Sequence, residues 1–472
     1  MPMQAAPRLL IGGLSGGSGK SLVSLALLLQ LRRAGVGVRA FKKGPDYIDP
    51  AWLSWASGTV TRNLDTFLVR DEALRGSFAR HAIEDGVNLI EGNRGLYDGV
   101  DAEGTHSSAA LARLLAAPVL LVLDVTKMTA TAAALVLGCK MLDPRLDLRG
   151  VILNNVGGKR HEQVLRAAIE QQCSIPVVGA LPRLKQNPLP ERHLGLIPPE
   201  EAETSEDARE ELLKAFDGAL DLAAICKIAR SAPGLERPSG PQPRSEGSGL
   251  RIGVVRDAAF TFYYPENLEA LRAAGADLVR VCSLQNEALP DWLDALYIGG
   301  GFPETHAARI AGNRLFLLSL RKAAAAGLPI YAECGGLMLL ARTLSWRQQT
   351  FAMAGALALD VEVCERPQGH GYAVLAVDAD NAFYPRGAEL RGHEFHYSRI
   401  AGLDVARHTA CAVLRGAGCG QGRDGIVEGN IFAAYTHVHA LGTPEWAAGL
   451  LRAAALYRMR KSAAGPCDAD RQ

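Results

Sequence analysis

The stretch Leu9-Leu-Ile-Gly-Gly-Leu-Ser-Gly-Gly-Ser-Gly-Lys-Ser21 decides how the first half of the chain is read. An apolar run, Leu9–Gly12, passes through a glycine-rich segment, Gly13–Gly19, and Lys20 opens a helical pattern that runs to Arg33. A strand that turns through glycines into a helix lets backbone N–H groups close on phosphate oxygens at the helix N-terminus. Gly13, Gly16, Gly17, Ser18 and Gly19 form the candidate ATP cradle; Lys20 can reach the terminal phosphates and Ser21 can ligate Mg2+. The spacing from Gly13 to Gly19 is one residue longer than in the commonest P-loop, and Leu14 stands at its usual first glycine. A purely structural turn is the plainer alternative, and Gly-Lys-Ser at a strand–helix junction argues against it. Partitioning ATPases carry a second lysine where this chain has Ser15, so a partitioning or filament role is disfavoured.

Outward from this loop, apolar runs alternate with helical patterns. Val38–Phe41, Asn88–Glu91, Val119–Asp124, Gly150–Asn154 and Val177–Gly179 read as buried strands, with helices such as Ser107–Ala116 between them. Ser231–Gly249, rich in Pro, Gly and Ser, reads as a linker. Alternation then restarts, with strands Arg251–Val255, Asp277–Val281, Ala295–Ile298 and Ile330–Ala332 and helices Asn267–Ala274 and Arg314–Ala326. The expected fold is α/β, with two doubly wound parallel sheets: a first domain over 1–230, a linker over 231–249 and a second domain over 250–460. The less regular stretch Phe351–Asp424 is expected to contain antiparallel strands.

Composition limits the partners. The 472 residues carry a formal net charge of +1, which gives no basic face for nucleic acid. The longest apolar stretch, Ala116–Asp124, is short for a membrane span, and Met1–Arg8 has no signal pattern. Nine dispersed cysteines without a CxxC pair read as reduced thiols, so a cytoplasmic location is expected.

Carboxylates at strand ends would complete a metal site. Asp46 and Asp49 lie in Phe41-Lys-Lys-Gly-Pro-Asp-Tyr-Ile-Asp49, and Glu91 and Asp98 in Glu91-Gly-Asn-Arg-Gly-Leu-Tyr-Asp98. Asp49 alone could equally be a turn-former beside Pro50.

In the second half, Pro329-Ile-Tyr-Ala-Glu-Cys-Gly-Gly-Leu-Met338 reads as strand, sharp turn, helix, with Cys334 exposed at the helix N-terminus. There the helix field would lower its thiol pKa. Gly335 N–H is placed for an oxyanion hole, and the run Gly299-Gly300-Gly301 could supply a further donor. His437, in Tyr435-Thr-His-Val-His439, is the candidate base. Arg391-Gly-His-Glu-Phe-His-Tyr-Ser398 lacks the spacing of a helical zinc motif, which leaves a structural or glutamine-pocket role.

Taken together, Gly13–Ser21, Lys43–Pro50, Glu91–Gly99, Pro190–Gly195, Tyr297–Glu304, Glu333–Gly336, Arg391–Ser398 and His437–His439 resemble the cobyrinic acid a,c-diamide synthase family over nearly the whole chain. The resemblance implies a synthetase domain similar to dethiobiotin synthetase, whose P-loop has the same extra residue, followed by a class I glutamine amidotransferase domain of flavodoxin-like fold. It implies ATP and Mg2+ as cofactors and a tetrapyrrole and L-glutamine as substrates. It implies metal ligation by Ser21, Asp46 and Glu91, and substrate-carboxylate handling by Asp49, Arg94, Tyr97 and Asp98. By the same resemblance Asn154 touches adenine, and Cys334 and His437 hydrolyse glutamine.

His437-Val-His439 replaces the His-x-Glu of many such enzymes and leaves the third triad member open. Asn93, Arg94, Lys127 and Gln368–Tyr372 look closer to a branch that is found with dissimilatory sulfite reductase and amidates siroheme, which would link the protein functionally to that reductase. Cobyric acid synthase and a non-catalytic P-loop regulator are the competing readings. A homodimer is compatible with all of them.

Overall fold

The computed structural model describes residues 3–184, 189–192, 195–199, 201, 205–236, 248–285, 287–401, 404–405 and 408–463. The chain divides into two compact units, Met1–Gly240 and Pro241–Gln472.

The first unit is built on seven strands: β1 (Arg8–Gly13), β2 (Val38–Lys43), β3 (Arg62–Leu64), β4 (Val87–Glu91), β5 (Val119–Asp124), β6 (Leu148–Val156) and β7 (Val177–Pro182). Their order is β3-β2-β4-β1-β5-β6-β7, and every pairing is parallel. Parallel strands must be joined by crossovers, so all their carboxyl ends open on one edge. β1 lies at the centre, where the strand order reverses, so the glycine loop after it falls at the switch point.

Helix α1 (Lys20–Arg33) follows that loop and buries Val23, Leu25, Leu27, Leu28, Leu29 and Leu31, which span its circumference. A helix apolar all round is a core helix. Each such side chain contributes roughly 1.5–3 kcal/mol of burial, enough to hold the loop's downstream end rigid. The helix expected over Ser107–Ala116 forms over Ser108–Leu114, with the Ser107 side chain accepting from Ala110 N–H as its cap. β3, only three residues long, carries too little pattern to be read from sequence.

The reading of a linker from Ser231 needs correction. Leu235–Glu236 pairs antiparallel with Met3–Gln4, so the chain is still structured there. Residues 237–247, the centre of the expected linker, lie outside the described residues, as do 193–194 of the Pro190–Gly195 segment.

The second unit holds a ten-stranded sheet. Its strands are β8 (Arg251–Val255), β9 (Asp277–Val281), β10 (Ala295–Ile298), β11 (Ile330–Glu333), β12 (Gly369–Val377), β13 (Glu389–His396), β14 (Thr409–Arg415), β15 (Arg423–Glu428), β16 (Ile431–Ala434) and β17 (His437–Val438). The order is β9-β8-β10-β11-β16-β15-β14-β12-β13-β17. The pairs from β9 to β16 are parallel and the rest are antiparallel. The antiparallel strands expected in Phe351–Asp424 are therefore present. A separate four-stranded sheet, formed by Thr343–Trp346, Gln349–Ala352, Asp360–Val363 and Ser398–Ala401, was not legible. Among the described residues no helix is long and apolar enough to cross a membrane. The eight described cysteines are free thiols.

Candidate functional site

In the first unit the loop between β1 and α1 is closed by its own groups. Gly17 and Gly19 have φ of 74° and 90°, in the left-handed region that glycine adopts without strain. Gly19 caps α1, and a Cβ there would lie 2.1 Å from Asn154 Nδ2. Asn154, near the end of β6, donates to Ser18 O at 3.2 Å, so it braces the loop backbone. Lys20 is buried and donates to Ser15 O at 2.8 Å, folding back across the loop. Burial, followed by the nearby Lys42 charge, lowers its pKa.

Lys42, which the sequence reading passed over, organises the carboxylates. It is 2% exposed, and its Nζ lies 2.6 Å from both Asp49 Oδ2 and Glu91 Oε1. Burial alone would depress the lysine, but Asp49 and Glu91 outweigh it and hold it above its ordinary value. Burial likewise pushes the Asp49 carboxyl up, and Lys42 overrides this to leave it low. Glu91 stays raised because burial outweighs Lys42. Its Oε1 accepts Ser21 Oγ–H at 3.1 Å, whereas its buried Oε2 has no hydrogen-bond partner among the described residues.

Asp46 does different work. Its Oδ1 accepts from Ile48 N at 2.7 Å and Asp49 N at 3.0 Å, starting the helix Ile48–Ser57. Burial, then the charge of Asp49, pushes its carboxyl up to about 6.

The loop after β4 lies against the P-loop, with Leu96 N donating to Gly13 O at 2.6 Å. Asp98 Oδ2 accepts Gly95 N at 2.8 Å, while a Cβ on Gly95 would stand 2.6 Å from that oxygen. Arg94 holds a left-handed φ of 48°. Tyr97 Oη donates to Cys139 O at 2.6 Å, an anchor within the fold, and burial pushes its pKa up to about 12. Lys20, Lys42, Asp49, Glu91 and Asp98 therefore share one electrostatic site. A lysine two residues before Gly44 in a strand that ends beside acidic turns was the available signal for Lys42.

In the second unit Cys334 ends β11 at φ 49°, ψ −99°, and caps a helix of six residues, Gly335–Leu340. Strain at a strand–helix turn of this kind points a side chain into the space above the sheet. Two expectations are corrected here. Cys334 is 6% exposed rather than open, and burial, then Glu304, pushes its thiol up rather than down. A six-residue helix supplies a weak field against the desolvation of a thiolate.

The Gly299–Gly301 turn lies between the other groups. A Cβ on Gly300 would stand 2.6 Å from His437 Cε1, and one on Gly335 would stand 3.1 Å from Gly301 N. Only bare backbone fits on either side. His437 lies directly across from His393 in the β13–β17 ladder, and the two rings stack at 5.0 Å. Burial, then the His437 charge, holds His393 well below the usual imidazole range. His393 thus belongs to the same site. His396 faces elsewhere, stacked on Tyr435 at 3.7 Å.

Residues 9–197 match the family model of the CobQ/CobB/MinD/ParA nucleotide binding domain, and residues 251–445 that of the CobB/CobQ-like glutamine amidotransferase domain. A cobyrinate a,c-diamide synthase of Magnetococcus marinus is 42% identical over 452 residues, covering 94% of this chain and 97% of that protein. The chain belongs to the cobyrinate a,c-diamide synthase family. Two further members bear the same name. The one from Archaeoglobus fulgidus is 40% identical, covering 93% of this chain and 96% of that protein. The one from Methanothermobacter thermautotrophicus is 38% identical, covering 94% and 99%. Membership accounts for both halves of the chain at once, one domain model falling in each unit.

Proposed function

We propose that the protein amidates the a and c acetate carboxylates of a cobyrinate-type tetrapyrrole, using ATP and the amide nitrogen of glutamine. The observation that carries this reading is the near-full-length identity to cobyrinate a,c-diamide synthases, which spans both sites. In the second unit Cys334 Sγ attacks the glutamine side-chain amide carbon. His437 takes the thiol proton and returns it to the departing ammonia, with Gly335 and Gly301 N–H groups facing the oxyanion. Water then cleaves the glutamyl thioester to glutamate. In the first unit the carboxylate attacks the γ-phosphate of ATP, giving an acyl phosphate and ADP. Ammonia adds to the acyl carbon and phosphate leaves. Activation is needed because a carboxylate oxygen is a poor leaving group.

The Gly13–Gly19 backbone and Lys20 hold the phosphates. Ser21 and Glu91 fit Mg2+: a serine hydroxyl borders a carboxylate whose second oxygen is buried without a hydrogen-bond partner among the described residues. Bound there, Mg2+ would offset charge on the phosphates. Asp46, whose Oδ1 already accepts from Ile48 N and Asp49 N, is the weaker candidate ligand. Lys42 lowers the Lys20 pKa through its charge, while its own ammonium pairs with Asp49 and Glu91.

Incubation with Mg-ATP and glutamine, followed by mass spectrometry, tests the reading. Cobyrinate, sirohydrochlorin and siroheme are offered in parallel. Two OH-to-NH2 exchanges on cobyrinate are expected. Amidation of siroheme alone would move the protein to the sulfite-reductase branch, and no amidation of any ring would overturn the reading.

A further inference from the structure

A base that shuttles a thiol proton works best when a carboxylate holds its far nitrogen. The usual place for that carboxylate, two residues after the base, is taken by His439. That ring points elsewhere. His439 Nε2 lies 3.5 Å from Glu266 Oε2, its Nδ1 accepts Leu441 N at 3.2 Å, and it packs on Tyr264 at 4.7 Å.

We propose that Glu333, the residue immediately before the nucleophile, is the positioning carboxylate of His437. Its Oε2 lies 3.5 Å from His437 Nδ1. Glu333 is fully buried, where a carboxylate persists only with donors around it. Tyr297 Oη–H donates to Oε2 at 3.0 Å and Val438 N–H to Oε1 at 3.2 Å. The second bond ties Glu333 to the residue after His437, so the carboxylate and the ring are located by the same backbone.

The topology explains the exchange. β11 and β16 are adjacent parallel strands, with Glu333 opposite Ala434, three residues before His437. Cys334 follows β11 in the turn, while Glu333, the last residue of β11, reaches Val438 N in β17 and Tyr297 Oη in β10. One strand end thus delivers both the nucleophile and the acid that orients its base. Nδ1 facing Glu333 leaves Nε2 to take the thiol proton as Sγ bonds the amide carbon and to return it to ammonia. The 3.5 Å separation is an ion-pair distance, and catalytic contacts of this kind are often long before substrate binds and tighten in the reacting complex. The His393 ring, stacked at 5.0 Å, and the Gly300 backbone also face His437.

This inference rests on the reading of Cys334 and His437 as the glutaminase pair. The experiment compares Glu333→Gln, Glu266→Gln and Cys334→Ala in the full chain, with glutamine and with ammonium as nitrogen source. Glutamine in place of Glu333 keeps the size and the acceptor for Val438, but can present an N–H donor to His437 Nδ1. The expected result for E333Q is a kcat for glutamine hydrolysis lower by roughly 10²–10⁴-fold with KM within about threefold. E266Q should stay within about threefold of wild type.

Ammonium-supported amidation shows whether each variant is folded. A tie that only joined strands would raise KM or lower both activities together. Wild-type kcat in folded E333Q, or a larger loss in E266Q than in E333Q, overturns the inference. Glutamine-supported activity in C334A overturns the underlying reading instead. If E333Q does not fold, 15N-histidine NMR of the unaltered protein decides. A proton on His437 Nδ1 is the expected result, and one confined to Nε2 overturns the proposal.

Discussion

The two units use the same device, a parallel strand that turns sharply into a helix, for opposite ends. After β1 the turn is glycine, the helix has 14 residues and the buried cation Lys20 folds across the loop. After β11 the turn residue is Cys334 itself, the helix has six residues, and burial raises the thiol. A long helix behind bare backbone makes an anion cradle that is complete within one stretch of chain. A short helix behind a buried side chain presents a thiol that, as the proposed nucleophile, needs a base from elsewhere in the sheet. The phosphate cradle is local in sequence, although its carboxylates come from other strand ends, and the second site is assembled from β10, β11, β13 and β17.

That contrast can be broken most forcefully at the nucleophile. Cys334→Ala should lower glutamine-supported amidation by roughly 10⁴–10⁶-fold while ammonium-supported amidation continues. Lys20→Ala should lower both by about 10³-fold, because it removes charge from the phosphoryl-transfer step. Parallel initial-rate assays with the two nitrogen sources check the pair. If ammonium fails to rescue Cys334→Ala, the two sites do not divide the work.

Lys42→Met tests whether the first site is held by charge as well as by glycine. The change leaves Asp49 and Glu91 without their shared buried cation. It should cost about 3–5 kcal/mol, read as a shift in urea midpoint at constant slope. A loss below about 1 kcal/mol would make Lys42 incidental to the fold.

Gly300→Ala tests the second site's need for bare backbone. Its Cβ would meet His437 Cε1 at 2.6 Å, and displacing that ring should cost about 10²-fold in glutaminase kcat. Unchanged glutamine hydrolysis would show that the turn yields instead.

The smallest effect concerns Asp46, whose carboxyl is raised from 3.8 to about 6 by burial and then by Asp49. A carboxyl raised by folding binds its proton more tightly in the folded state. Its stabilising share is present in acid and lost as pH rises through that window. Urea melts of Asp46→Asn and wild type should therefore diverge from pH 4 to pH 7, with the variant gaining relative to wild type. A constant difference across that range would remove Asp46 from the pH response.

The sequence by itself determined the alternation of strands and helices, because apolar runs of strand length between helical periods leave few ways to bury both. It also determined the P-loop, because Gly13–Ser21 needs no residue from elsewhere to announce a phosphate cradle. Cys334 was legible as a turn residue between a strand and two glycines.

Only the tertiary structure decided the rest. The sign of the thiol's shift depends on burial, which the local glycine pattern does not encode. Lys42 becomes the hub of the carboxylates because β2 and β4 are neighbours in the sheet. His393 joins His437 through a strand register spanning 44 residues of chain. Glu333 reaches the same ring because β11 lies beside β16. Propensity and spacing act over a few residues, whereas the partner of a buried charge is set by which strands pair.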